Sequence, residues 1–200
     1  MLASELPSEV NLSHGNQGQQ LIDLLTMCFG DNEINGVEIG ARTCILTEAI
    51  LRVLPNLRRL WTIDPWEYRE GAHYEAGRDF QVGHDNAFSV AVGRLYNLIS
   101  KGPQFLSARD RVAIMYMHSD EAVEWIPWRT MPIDFVWIDG DHSPDQVEKD
   151  VVSYREIVRP GGLIGGHDFG TSGPVKQVVE SLFSLDQINL GIATCWWVYL

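Results

Sequence analysis

Ile133-Asp134-Phe135-Val136-Trp137-Ile138-Asp139-Gly140-Asp141-His142 decides the fold. From Ile133 to Ile138 the run is apolar apart from Asp134, rich in β-branched and aromatic residues, and too short for a helix. That is the pattern of a strand buried on both faces. It stops at a polar cluster and a glycine. Pro144 to Val158 then carries Val147, Val151, Tyr154 and Val158 at helical spacing, with Pro144 in the first turn. Arg159-Pro160-Gly161-Gly162 leads into a third element, Leu163 to Gly166, which ends at His167-Asp168. Strand, helix and strand in this order form a parallel crossover unit.

The same alternation continues in both directions. Gln17 to Phe29 reads as a helix with Leu21, Leu24, Leu25 and Cys28 on one face, stopped by Gly30 and Asp31-Asn32. Gly36 to Ile39 is a short buried strand. Leu46, Ala49, Ile50, Val53 and Leu54 mark a helix, and Arg59 to Ile63 a second strand ending at Asp64-Pro65. Residues 65–83 are irregular and aromatic-rich, from Trp66 to Phe80, as a loop that covers a substrate would be. A helix over 84–100, a strand over Val112–Met117, and a short helix over Asp120–Trp125 capped by Ser119 follow. Pro174–Phe183 is a helix, and Ile188–Leu200 supplies one or two last strands without a crossover helix. The expectation is an α/β fold: a doubly wound, mostly parallel sheet with helices on both faces and an antiparallel C-terminal edge. Residues 1–200 read as one domain, with 1–35 as an N-terminal lead and helix and 65–100 as a substrate-side insertion.

Composition narrows the function. The chain has 15 basic and 27 acidic residues, a formal charge of −12, which disfavours a nucleic-acid partner. Cys28, Cys44 and Cys195 lie in apolar segments without a C-x-x-C pair, as free thiols in a reducing compartment do. The N-terminus lacks a basic region followed by an apolar run, and no stretch reaches the length of a membrane span. A soluble, cytoplasmic protein is expected. The edge at Ile188–Leu200 is a surface on which a second copy could pair into a homo-oligomer.

In an open parallel sheet, ligands bind at the carboxyl ends of the strands. Several chemistry-bearing groups fall there. Glu38-Ile39-Gly40 places a carboxylate in an apolar strand, where it needs a partner such as a ligand ammonium or a turn amide, and then a glycine that lets a ligand approach the backbone. G-x-G-x-x-G is absent, which argues against a dinucleotide site. Asp64, at the end of the next strand, can take both hydroxyls of a ribose, and its alternative role is a turn before Pro65. His118-Ser119-Asp120 follows the Val112–Met117 strand. Asp139, His142, His167 and Asp168 bring carboxylates and imidazoles from adjacent strands together, as a divalent cation or a general base requires. Asp141 and Asp145 suit the positive end of the 144–158 helix. Trp196, Trp197 and Tyr199 suit core and edge packing.

Four stretches in order, Val37–Gly40, Ile63–Trp66, Asp134–Asp150 and Pro160–Asp168, resemble class I S-adenosylmethionine-dependent methyltransferases with a Rossmann-like sheet. They are most similar to small-molecule O-methyltransferases whose sequences run VEIG, IDPW, DFVxIDGDHSYxxVxxDI and PGGxxxGHD. The resemblance spans residues 36 to about 183. It implies that Glu38 and Gly40 line the methionine part of the cofactor, Asp64 binds the ribose, Ser119 and Asp120 lie beside the adenine, and Asp139 sits by the methyl donor. It implies Mg²⁺ or a similar cation on Asp139 and Asp168, with His142 and His167 open between base, ligand and support. Two positions depart from the pattern: Cys44 stands where the first loop usually has another glycine, and Pro144 where an aromatic follows DHS. With little room in 200 residues for an added substrate domain, specificity is expected from 65–100 and from residues 1–16, with His14 and Gln17 as candidates. The implied reaction is methyl transfer to a hydroxyl of a small molecule, with Asp139, His142 and His167 as the catalytic set. Two alternatives stand beside it. One is a non-haem iron hydroxylase built on the histidines and a carboxylate; the other is a cofactor-binding protein without turnover.

Overall fold

A computed structural model describes residues 16–68, 81–100, 110–170 and 172–200. The expectations placed on His14, on the 1–15 lead and on the aromatic loop between 69 and 80 lie outside those residues. The elements run α1 (Asn16–Phe29), β1 (Ile34–Ile39), α2 (Ile45–Val53), β2 (Leu57–Asp64), α3 (Gln81–Ser100) and β3 (Val112–Tyr116). Then come α4 (Ser119–Ala122) with a 3-10 turn (Val123–Trp125), β4 (Ile133–Ile138), α5 (Pro144–Arg155), β5 (Val158–Gly166), α6 (Pro174–Leu182), β6 (Asn189–Leu190) and β7 (Trp196–Tyr199).

The sheet has seven strands in the order β3-β2-β1-β4-β5-β7-β6. The first five are parallel; β7 runs antiparallel to β5, and β6 antiparallel to β7. The chain winds outward from β1 to β3 and then returns to place β4 on the other side of β1. The two halves therefore diverge at the β1–β4 pair, and the crevice at their carboxyl ends is where such sheets take ligands.

Alternation along the strands divides the core in two. Ile34, Leu57, Leu60, Phe135 and Trp137 face α1, α2 and α3. Val37, Ile39, Trp61, Ile63, Val136 and Ile138 face α4, α5 and α6. β1 and β4 are buried throughout because both faces are covered. Gly36 is needed on the first face: a Cβ there would lie 2.1 Å from the Phe135 ring. Asp134, a carboxylate inside β4, is buried but satisfied by the Asn35 amide (2.7 Å) and the Arg159 Nε (2.6 Å).

Three boundaries differ from expectation. The 144–158 helix ends at Arg155, and Val158 already pairs with Ile133 as the start of β5. The apolar 3.6-residue spacing continues to Val158, but the backbone joins the sheet there, and β5 runs through Arg159–Gly162. α3 begins at Gln81, inside the stretch read as irregular. Ser119 does not cap α4. His118 occupies the cap position without a side-chain bond, and Ser119 is the first helical residue.

Candidate functional site

The loop after β1 shapes the crevice. Gly40 has φ +87°, and a Cβ there would lie 2.0 Å from the Asp139 carbonyl, so the ends of β1 and β4 close up only on glycine. The turn continues through residues with positive φ, Arg42 (45°) and Cys44 (55°), and Cys44 sits at the N-cap of α2. The position where a further glycine was expected thus adopts a glycine-like backbone with a cysteine. Its side chain is fully buried and its thiol is pushed up to about 12 by burial, which leaves it unreactive.

A cavity opens over this turn, lined by the ends of β1, β2 and β4 and by the starts of α1, α4 and α5. Glu38, Gly40, Asp64, Ser119, Asp139, His142, His167 and Asp168 all line it. Asp120 is exposed and is not among the lining residues. As the second residue of α4, it projects away while Ser119 turns inward.

Glu38 is 2% exposed, and its Oε2 accepts hydroxyl bonds from Thr47 (2.5 Å) and Thr62 (2.7 Å). Burial pushes the carboxyl up to about 7 against these two bonds, and Asp139 and Asp64 push the same way. Asp64 holds the loop together: Oδ2 accepts the Arg42 amide (2.9 Å) and Oδ1 the Trp66 amide (2.7 Å). Burial raises its carboxyl, partly offset by those amides. Each oxygen keeps a second lone pair for a ligand donor. Trp66 is buried rather than spread over the cavity mouth. Its indole donates to the Arg42 carbonyl (2.6 Å), and its ring stacks near Tyr116 with centroids 5.6 Å apart.

The second region of the cavity is ionic. Asp139 Oδ2 accepts the Gln17 side-chain amide at 2.8 Å, so the first turn of α1 fixes the carboxylate's rotation. Its Oδ1 faces His167 Nδ1 at 3.6 Å and His142 Nε2 at 3.8 Å. Asp168 lies 3.2 Å from each imidazole, through Oδ1 to His167 and Oδ2 to His142. Burial works to raise Asp139, but the facing imidazoles of His142 and His167 and the Gln17 amide overcome it and hold the carboxyl at about 2. For His167, burial works downward, and the Asp139 and Asp168 bonds carry it to about 10. His142 is raised by Asp139, against burial, with Asp168 adding to the rise.

One ligand atom each from Asp139, His142 and Asp168 fall within 4.8 Å of one another. His142 Nε2 is buried and makes no aligned hydrogen bond despite the nearby carboxylates. Two carboxylates converging on one imidazole nitrogen form a donor set that fits a divalent cation. Asp141 takes the helix-terminus role, accepting the Ser143 amide at 2.8 Å, just before α5.

α5 brings in residues that sequence reasoning missed. Gln146, Asp150 and Tyr154, four apart on one helix face, all bind Ser119. The Ser119 hydroxyl donates to Asp150 Oδ1 (2.6 Å), the Gln146 amide reaches both groups, and the Tyr154 hydroxyl donates to the Ser119 carbonyl (2.8 Å). The available signal was a carboxylate next to Val151 on an otherwise apolar stripe. At the mouth, His118 and Glu67 face each other at 3.5 Å.

No helix among the described residues is long and apolar enough to cross a membrane. Residues 35–169 match a family model described as a methyltransferase domain. No protein of curated function matches the sequence. Among solved structures, CalS11, a calicheamicin methyltransferase, superposes with a TM-score of 0.65 at 13% identity, over 98% of this chain and 87% of that one. The O-methyltransferase from Bacillus cereus in complex with SAH gives 0.60 at 17% identity, over 99% and 86%. An rRNA methylase from Streptococcus thermophilus gives 0.58 at 12% identity, over 90% and 92%. At such identities the likeness is one of fold, shared by enzymes named for different acceptors. With two thirds of its length matched by one family model and a cavity at the divergence point of its sheet, the chain belongs to the methyltransferase-domain family, as a class I S-adenosylmethionine-dependent methyltransferase.

Proposed function

We propose that this methyltransferase acts on a hydroxyl of a small molecule, with a divalent cation held by Asp139, His142 and Asp168. The observation that carries the reading is the convergence of those three side chains at the carboxyl ends of β4 and β5, beside the loop after β1. S-Adenosylmethionine supplies an already activated methyl group, so the protein's task is alignment. Glu38 takes the cofactor's ammonium, with Thr47 and Thr62 fixing its Oε2. Asp64 takes the ribose, and the amides of Arg42 and Trp66 hold its carboxylate in place. Gly40 lets the chain approach the methionine portion, and Ser119 borders the base.

Asp139 orients the acceptor side, its rotation set by Gln17. When bound, a divalent cation there supplies a Lewis acid that lowers the pKa of a coordinated hydroxyl and offsets the carboxylates that raise both imidazoles. To His167, which lines the same cavity, we assign the acceptor's proton once that imidazole is neutral. The acidic chain and a cavity rather than a basic groove support a small acceptor over a nucleic acid.

The test is turnover of S-adenosylmethionine against a panel of hydroxylated small molecules, with Mg²⁺, with Mn²⁺ and after chelation. Products carrying one added methyl on oxygen, lost on chelation, are expected. Methylation on nitrogen only would overturn the hydroxyl assignment, and turnover indifferent to chelation would overturn the cation.

A further inference from the structure

Asp150 is 1% exposed, lies in the interior of α5 and lines the cavity. Its two oxygens have different surroundings. Oδ1 accepts from Ser119 and from Gln146, whereas Oδ2 is buried and has no hydrogen-bond partner among the described residues. An unpaired carboxylate oxygen in a protein interior is costly, and such an orphan calls for an external donor. The strand order says what donor arrives. The end of β2, with Asp64, lies between the ends of β1 and β3. A nucleoside whose ribose rests on Asp64 and whose tail points to Glu38 directs its base outward, to the loop after β3. Ser119 stands there, clamped by Gln146, Asp150 and Tyr154.

We propose that Asp150 is the residue by which this enzyme reads its cofactor's base, accepting a hydrogen bond from the exocyclic amine of adenine at the Oδ2 position. The inference rests on the cofactor reading above and adds a specificity determinant to it. Ser119 and Gln146 are positioning residues: they occupy Oδ1 and leave Oδ2 as the acceptor without a partner. Asp120, the neighbouring acid in sequence, cannot play this part because it is exposed outside the cavity wall. A 6-oxo purine offers an acceptor where adenine offers a donor, and the site rejects it by opposing two acceptors. A site built around one hydrogen bond discriminates most strongly against the analogue that cannot make it.

The experiment is calorimetric titration of the whole protein at pH 8 with S-adenosylhomocysteine and with its 6-oxo analogue, S-inosylhomocysteine. The wild type is expected to favour the adenosyl compound by about 10- to 100-fold, the range of a hydrogen bond to a charged group. Asp150→Asn keeps an acceptor for Ser119 and turns the other atom into a donor, so it should erase or reverse that preference. A purely structural role would weaken both ligands together and leave their ratio intact. Equal affinities in the wild type overturn the proposal, as does an unchanged ratio in the folded variant. If Asp150→Asn does not fold, Asp150→Ser carries the same test, with the preference expected to collapse and its persistence counting against the proposal. Failure of the wild type to bind either compound removes the cofactor reading itself and this inference with it. Binding of the adenosyl compound without discrimination removes only the inference.

Discussion

Glu38 and Asp139 stand at the ends of neighbouring parallel strands, both facing the same cavity, yet their carboxyls lie near 7 and near 2. Burial raises both. The difference lies in the donors. Glu38 receives two neutral hydroxyls, which only partly offset desolvation, whereas Asp139 receives an amide and two imidazoles that can carry charge. A carboxyl held by neutral donors is left short of a cation and suits a ligand ammonium. A carboxylate wrapped in imidazoles is anionic at every working pH and suits orientation of an acceptor and a metal. The cavity therefore has a half held by neutral hydroxyls, proposed for the methyl donor, and an ionic half, set by partner chemistry rather than by residue type.

Removing the ionic half should have the largest effect. Asp139→Ala is expected to lower kcat/KM by about 10²- to 10⁴-fold, the scale of losing a group that positions and helps transfer a proton. Affinity for S-adenosylhomocysteine should fall much less. Steady-state kinetics with a parallel titration separates the two, and near wild-type turnover would break the division of the cavity.

The donor half makes a pH prediction. The Glu38 carboxyl releases its proton near 4.5 when unfolded and near 7 when folded. Its contribution to stability is complete below the lower value and disappears as pH rises through the upper one. From pH 5 to pH 8 the ligand-free wild type should lose about 2.5 kcal/mol relative to Glu38→Gln. Thermal unfolding of both proteins at the two pH values checks this, and parallel profiles would contradict it.

Gln17 sharpens the ionic half. Gln17→Leu removes the donor that fixes Asp139, and Mn²⁺ affinity should drop about 10-fold or more while cofactor affinity stays level. Titration with the metal alone reads the first quantity. An unaltered metal affinity would mean that α1 merely covers the site.

The smallest effect is expected at Cys44. Holding a non-glycine residue at φ 55° costs about 1 kcal/mol, and burying its short side chain returns a similar amount. Cys44→Gly should shift stability by less than about 1 kcal/mol, whereas Cys44→Val, β-branched at the same backbone, should destabilise by about 2 kcal/mol or more. Denaturant unfolding orders the three proteins.

The alternation of apolar strands and helices was readable in the sequence because burial on both faces leaves long apolar runs and one-sided helices. The same logic misplaced the end of α5, since Val158 continues the helical spacing while its backbone pairs in β5. Glu38, Gly40, Asp64 and the Asp139–Asp168 group were visible because each lies at, or just past, the end of a strand. Asp150 and Gln146 were hidden inside a helix, where a polar residue on the buried face looks like one facing water until its partner is known. Ser119 fits the pattern of an N-cap from sequence, and only the fold shows its hydroxyl spent on Asp150. Gln17 stood apart from Asp139 by more than a hundred residues, a pairing no local pattern signals.

The central claim is that the crevice at the ends of β1, β2 and β4 holds S-adenosylmethionine. Titration with S-adenosylhomocysteine, on the wild type and on Asp64→Asn, tests it most directly. Binding by the wild type that weakens by about 10-fold or more in the variant is the predicted result, since a charged acceptor for the ribose is lost while the loop keeps one carbonyl for its amides. Absence of binding by the wild type, or equal affinity in the variant, would contradict the account.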